Sequence, residues 1–206
     1  ITYENADSDG QVRSLEYMKN VRKLSDKYHL PIHLDGARIF NAATVLGVEA
    51  KEIAQYADSV SVCLSKGLCA PVGSVLVGSK EFIAVARRKR KIIGGGMRQV
   101  GILAAAGKIA LNVMSKRLQE DHDNAKYMAE ALCGVKGLEV YKERQQINMV
   151  FFRLKDYPLS SAELVDYMAK HDVIINGEDN GIMRFATHKY VTREEIDKVV
   201  DLMKQV

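Results

Sequence analysis

The chain has 206 residues, of which 47% are hydrophobic and 27% charged, as in an ordinary globular protein. Its 30 basic and 26 acidic side chains leave a net charge of +4, too small to indicate a nucleic-acid partner by itself. No apolar run approaches the roughly 18 residues of a membrane-spanning helix. The three cysteines are odd in number and lack CxxC spacing, which argues against a disulfide framework or a zinc site and favours a cytoplasmic protein.

The first half of the chain predicts an α/β sheet with helical cover. Residues 14–28 form a predicted helix, with apolar residues at helical spacing and Ser14 as its N-cap. The elements predicted next are strand 32–34, helix 49–56, strand 59–64 and strand 73–77. The Val-Leu-Val run in the last of these is typical of a strand buried on both faces.

Two helices follow these strands. The first covers residues 79–91 and ends before Gly94-Gly95-Gly96, and the second runs unbroken from Arg98 to about Leu132. Gly134 and Gly137 come next, and we place a domain boundary between residues 133 and 134. Residues 1–133 then belong to a large domain and residues 134–206 to a small C-terminal α+β domain.

The small domain alternates between apolar runs and helical patterns. Its last helix begins with Thr192 and Glu195 at the spacing of a capping box. Its predicted elements are strands 138–141, 149–154, 173–175 and 182–186 and helices 160–170 and 192–204.

Two segments carry the residues that predict a chemistry. Asp35 follows a predicted strand in HLDGAR (33–38), and Lys66 follows the next one in VCLSKG (62–67). Side chains at neighbouring strand ends meet in the cleft where open α/β sheets bind ligands. A lone lysine is usually a surface residue, and Asp-Gly is a common turn. An amine and a carboxylate that meet in such a cleft, however, suit pyridoxal phosphate (PLP). The lysine forms the Schiff base, and the aspartate keeps the pyridine nitrogen protonated.

Several cations add to this hypothesis. Arg38, three residues after Asp35, can bind the ring hydroxyl or a substrate carboxylate. Lys91 and Arg98 flank Gly94-Gly95-Gly96, which is either a phosphate cradle or a flexible hinge. Arg184 stands between apolar residues, which fits a carboxylate ligand and a structural ion pair equally well. The basic run 87–91 is typical of a solvated helix face, with nucleic-acid binding as the less favoured alternative.

These motifs resemble the low-specificity L-threonine aldolases, members of the fold type I, aspartate-aminotransferase-like PLP enzymes. The resemblance is carried by HLDGARIFNA (33–42), DSVSVCLSKGLCAPVGSVLVG (58–78) and ARRKRKIIGGGMRQVGILAAAG (86–107), with a weaker match in MRFATH (183–188). Cys69 stands where the motif more commonly has Gly, and Glu4-Asn5 resembles a Glu-Asn pair of the family. The resemblance also implies that roughly a third of a typical family chain is missing in front of Ile1.

The resemblance implies a fold, namely an incomplete large PLP-binding domain with a mostly parallel sheet, followed by the small domain. Lys66 would bind PLP covalently, Asp35 would pair with the pyridine nitrogen, and Arg38 would contact the ring oxygen and, with Arg184, the amino-acid carboxylate. Lys91 and Arg98 would reach a PLP phosphate across the interface of a homodimer or homotetramer with shared active sites.

The implied reaction is retro-aldol cleavage of L-threonine or L-allo-threonine, a β-hydroxy-α-amino acid, to glycine and acetaldehyde. No nucleic-acid or membrane partner is expected. Three alternatives stay open: a β-eliminating lyase of the same fold, an amino-acid racemase of the same fold, and a non-catalytic fragment of such an enzyme.

Overall fold

The computed structural model describes residues 1–206 and divides into two compact units, Ile1–Leu118 and Gln119–Val206. The first unit is built on a four-stranded sheet of order β1-β2-β3-β4. Strands β1, β2 and β3 pair in parallel, and β4 pairs antiparallel with β3. The strands are β1 (Thr2–Glu4), β2 (His33–Asp35), β3 (Ser59–Cys63) and β4 (Ser74–Gly78). The predicted α/β, mostly parallel sheet is thereby confirmed.

Three helices connect the parallel strands: α1 (Leu15–Tyr28), α2 (Ile39–Leu46) and α3 (Ala50–Ala54). Helix α1 begins where predicted, because the Ser14 side chain accepts a hydrogen bond from the Tyr17 N–H. Helix α2 was not predicted, because its apolar residues are not confined to one face and so give no clear helical period.

Strand β4 departs from its prediction. It forms an edge of the sheet, and Val75, Leu76 and Val77 are 37%, 40% and 51% exposed. Within these 206 residues the expectation of burial on both faces is not met, because a run of β-branched and aliphatic residues specifies an extended backbone but not what covers it.

The region after β4 contains α4 (Lys80–Ile92) and α5 (Gly101–Asn112), then a short 3₁₀ turn, Met114–Lys116, before α6 (Leu118–Leu132). The prediction of one helix from Arg98 to Leu132 is therefore wrong. Gln99 lies in the left-handed region with φ 48°, and Val113 and Arg117 have φ of −116° and −108°. Ala-rich composition favours helix on both sides of these positions but does not mark the breaks.

The second unit is an α+β arrangement, as predicted. Its sheet has the order β5-β6-β7, with both pairings antiparallel. Side chains from α6, the sheet and the last two helices share one apolar core that includes Phe152, Leu164, Met183 and Ile196. The remaining elements are β5 (Leu138–Val140), the 3₁₀ turn Lys142–Arg144, β6 (Met149–Leu154), α7 (Ser161–Ala169), β7 (Met183–Ala186) and α8 (Arg193–Lys204).

Two further expectations can be compared with this unit. The capping box at the start of α8 is confirmed, since Thr192 and Glu195 each accept a hydrogen bond from the other's backbone N–H. The strand predicted at 173–175 is wrong, because this apolar segment forms no ladder with β7 and leaves Ile174 95% exposed. A segment with the sequence pattern of a strand forms one only where a neighbouring strand is available for backbone hydrogen bonding.

The division between the two compact units lies between residues 118 and 119. It is one helix earlier in the chain than the domain boundary predicted between residues 133 and 134. Helix α6 supplies Ala125, Met128, Ala129 and Leu132 to the core of the second unit. The assignment of 1–133 and 134–206 as functional domains stays a prediction, because compactness describes packing alone. None of the helices is both long and apolar enough for a membrane span.

Candidate cofactor and active site

The carboxyl ends of β1, β2 and β3 lie at one edge of the first unit's sheet. Glu4, Asp35 and Ser61 occupy equivalent positions in the two parallel ladders, so Glu4 and Asp35 are neighbours on the same face. Lys66 lies in the loop that leaves this edge after β3. The structure therefore places Asp35 and Lys66 after adjacent parallel strands, as the sequence predicted.

Asp35 is half-buried and held by its surroundings. Its Oδ1 accepts a hydrogen bond from the Ala37 N–H at 3.0 Å, and its carbonyl accepts one from the Asn5 N–H at 3.1 Å. The Asn5 amide is fully buried, and its Oδ1 accepts from the Arg13 N–H at 3.0 Å. These bonds connect the ends of β1 and β2 and fix the direction in which Asp35 leaves the sheet.

Gly36 allows the chain to turn at this point. A Cβ on Gly36 would lie 2.9 Å from Val60 Cγ1 and 3.0 Å from the Ser61 carbonyl, closer than real side chains approach. The Gly36 N–H donates to that carbonyl at 2.8 Å. Only glycine permits this close crossing of β3, which brings Arg38 to the start of α2 beside the sheet edge.

Arg38 forms an ion pair at the sheet edge. Its Nη1 lies 3.6 Å from Oε1 of Glu4, with the two side chains 13% and 27% exposed. Oε2 of Glu4 accepts a hydrogen bond from the Ser8 N–H at 3.1 Å. Glu4 has no role among the predictions from the sequence. Its only signal was the Glu4-Asn5 pair, which becomes informative once residues 2–4 are known to form a parallel strand.

Lys66 lies in an ordered loop with its side chain exposed and without an ion-pair partner. The loop is closed by hydrogen bonds from the Cys69 N–H to the Lys66 carbonyl and from the Ala70 N–H to the Leu64 carbonyl, both 2.9 Å. Burial raises the pKa of the nearby Cys63 thiol. Hydrogen bonding with Ser65 and the positive charge of Lys66 oppose this effect and outweigh it, so the net shift of the Cys63 pKa is downward.

Cys69 has a left-handed backbone, with φ 57°. That conformation is easy for glycine and costs other residues about 1 kcal/mol. The glycine that the resemblance implies at this position would adopt the same backbone without that cost.

The proposed phosphate-binding residues Lys91 and Arg98 are exposed. No hydrogen bond or ion pair joins either of them to Asp35, Arg38 or Lys66. The Gly95 N–H donates to the Arg90 carbonyl at 2.8 Å, so the glycine segment closes the C-terminus of α4. Their role toward a phosphate stays a prediction.

Arg184 belongs to the second unit, at the centre of β7 opposite Phe151. Its side chain is exposed and makes no ion pair, which argues against the structural alternative. It lines a cavity of about 470 Å³ together with Val173, Phe185 and Val199. Its role as a carboxylate ligand also stays a prediction.

The groups at the sheet edge match the donors that PLP requires. Lys66 offers a primary amine, Asp35 a carboxylate held by the Ala37 N–H, and Arg38 a guanidinium paired with Glu4. Gly36 leaves the edge free of a side chain where the backbone crosses β3. The residues present therefore fit the cofactor.

Solved structures define the class of this fold. A threonine aldolase from Leishmania major superposes with a TM-score of 0.73 at 15% identity, over 99% of this chain and 60% of that one. A PLP-dependent aminotransferase from Streptococcus suis superposes with a TM-score of 0.74 at 15% identity, over 100% of this chain and 56% of that one. The fold is that of the fold type I PLP-dependent enzymes.

Sequence comparison then shows the family. The model of the beta-eliminating lyases matches residues 1–155, so the chain belongs to the beta-eliminating lyase family. The chain is also 49% identical over 191 residues to the low specificity L-threonine aldolase of Escherichia coli K12, covering 93% of this chain and 55% of that protein. The resemblance to these aldolases is confirmed. The chain spans about half the length of the curated relatives it matches.

Proposed function

We propose that the protein is a PLP-dependent carbon–carbon lyase that cleaves L-threonine and L-allo-threonine to glycine and acetaldehyde. The observation that carries this proposal is the placement of Lys66 and Asp35 after adjacent parallel strands, in a chain 49% identical to a low specificity L-threonine aldolase. Bound PLP supplies an electron sink for the pair of electrons released when the Cα–Cβ bond breaks.

In this proposal each residue at the sheet edge has a defined task. Lys66 would hold the cofactor through its amine, which the amino group of the substrate would replace. Asp35 keeps a proton on the pyridine nitrogen. The bond from the Ala37 N–H fixes the Asp35 carboxylate in place, so little reorganisation is needed as charge develops.

The arginines bind and orient the substrate. Arg38 contacts the ring oxygen and the amino-acid carboxylate, and Arg184 binds that carboxylate too. A carboxylate held in this way would limit rotation about the Cα bonds and so set the direction of the breaking Cα–Cβ bond. Cleavage transfers the β-hydroxyl proton to a general base and releases acetaldehyde, and a proton returned to Cα gives glycine. Discrimination between threonine and allo-threonine depends on how that hydroxyl is held.

The proposal extends to the assembly. Lys91 and Arg98 bind the phosphate in the active site of a neighbouring subunit, so that the protein works as a cytoplasmic homodimer or homotetramer with shared sites. This is consistent with their exposure and with the exposed apolar residues Ile92, Ile93 and Ile102 around them.

The first test is a visible absorption spectrum of the full-length protein after addition of PLP, followed by borohydride reduction and peptide mapping. We expect a cofactor band and a covalent label on Lys66. The K80A variant removes another exposed lysine and should keep the label. Absence of a band, or a label on any other lysine, would contradict the proposal.

The family match favours one second candidate, β-elimination. Product analysis distinguishes the two reactions. Retro-aldol cleavage converts threonine to glycine and acetaldehyde. β-Elimination converts threonine to 2-oxobutanoate and ammonia, and serine to pyruvate and ammonia. We expect glycine as the main product from threonine.

A further inference from the structure

Glu4 is the acidic residue of the sheet edge to which the proposed mechanism gives no task. We propose that Glu4 is a positioning residue, which orients the guanidinium of Arg38 toward the cofactor and the substrate carboxylate. This inference rests on the proposed function, because it presumes that Arg38 binds those groups.

Glu4 is itself firmly placed. It ends β1, and its backbone is in the parallel ladder opposite Asp35. One carboxylate oxygen accepts the Ser8 N–H at 3.1 Å, and the other lies 3.6 Å from Nη1 of Arg38. Both oxygens are thus engaged, one by the loop before α1 and one by the arginine. A residue on a strand with its carboxylate held on both sides can hold another side chain in one geometry.

The pairing constrains Arg38 in a specific way. A guanidinium carries five N–H donors in one plane, so an interaction at Nη1 also restricts the plane in which the other donors lie. Both side chains are mostly shielded from water, with Arg38 13% exposed and Glu4 27%. Screening by solvent is therefore weaker than for a surface pair, so the Glu4 charge contributes to the orientation of Arg38.

A competing interpretation is that Glu4 serves only to anchor the Ser8 loop. The variant E4Q separates the two roles, because glutamine keeps a side-chain oxygen that can accept the Ser8 N–H but loses the negative charge that faces Arg38. A structural anchor would tolerate this change, whereas a positioning residue would not.

The experiment is a double-mutant cycle on the full-length protein with E4Q, R38Q and the double variant. The variant E16Q is the control, since Glu16 is an exposed glutamate on the first turn of α1. The measured quantities are the dissociation constant for PLP, kcat and KM for L-threonine, and the midpoint of thermal unfolding without PLP.

We expect E4Q to weaken PLP binding about tenfold, within the range of measured couplings between contacting residues. It should also raise KM by a larger factor than it lowers kcat, because Arg38 binds substrate. The double variant should be no worse than R38Q alone, since Glu4 acts only through Arg38. The unfolding midpoint of E4Q should match that of E16Q.

Three results would overturn the inference. The first is PLP binding by E4Q that equals that of the parent protein. The second is a double variant in which the loss of PLP binding equals the product of the losses measured for E4Q and R38Q separately. The third is a loss of PLP binding that merely follows a lowered unfolding midpoint. Failure of the proposed function has a different signature, namely that neither the parent protein nor E16Q binds PLP.

Discussion

The two compact units use their charged residues differently. In the first unit, Glu4, Asp35 and Arg38 are partly buried together where the parallel strands end. In the second unit, an antiparallel sheet and three helices enclose one apolar core. Parallel strands bring several carboxyl ends to one edge, which suits a site with several polar groups. The first unit therefore places several charged side chains at one sheet edge, whereas the described core of the second unit is apolar.

The largest expected effect is on the chemistry of the first unit. Replacing Lys66 with Ala should reduce threonine cleavage by at least about a thousandfold, because the amine that binds the cofactor is lost. The midpoint of thermal unfolding without PLP should change little, since the side chain is exposed. If K66A cleaved threonine as fast as the K80A control, the assignment of the chemistry to this edge of the sheet would be wrong.

A change in the core of the second unit should, in contrast, lower the stability of the protein. Phe152 is fully buried, with its ring centroid 4.9 Å from that of Phe185. F152A should lower the free energy of unfolding by about 3–5 kcal/mol, from lost burial and the cavity left behind. Urea unfolding measures this change. I174A is the control, because Ile174 is 95% exposed and its removal should cost almost nothing.

A buried histidine makes the second unit sensitive to acid. His122 is 5% exposed, and burial lowers its pKa from 6.5 to about 4. Below pH 6.5 the unfolded chain binds a proton that the folded chain does not. Stability should therefore fall as the pH drops from 6.5 to 4, by about 3 kcal/mol in total from this group.

The check is urea unfolding at several pH values for the parent protein and H122Q. We expect the variant to show a shallower loss of stability over this pH range, because glutamine does not titrate. Equal slopes for the two proteins would mean that His122 is not the group responsible.

The smallest expected effect concerns the loop that carries Lys66. C69G should raise the free energy of unfolding by up to about 1 kcal/mol, because glycine adopts the left-handed backbone at φ 57° without steric cost. C69A is the matched control, since it keeps the Cβ and should give no such gain. Equal thermal midpoints for the two variants would show that this backbone conformation stores little free energy.

Local signals predicted many elements of both units. Ser14 marked the start of α1, and the Thr192–Glu195 spacing marked that of α8, because caps are short-range interactions within one turn. The positions of Asp35 and Lys66 at the ends of adjacent parallel strands were also predictable, from two strand patterns that each end in small residues. Helix α2 was missed because its apolar residues lack a clear period.

The sequence by itself determined the residue types at the site, the helix caps and the order of most elements, because these follow from propensity and from interactions between close neighbours in the chain. Only the tertiary structure decided three other features. It left β4 on an edge, kept residues 173–175 out of the sheet, and brought Glu4 against Arg38. Each depends on which distant segments pair or pack, and a local pattern does not contain that information.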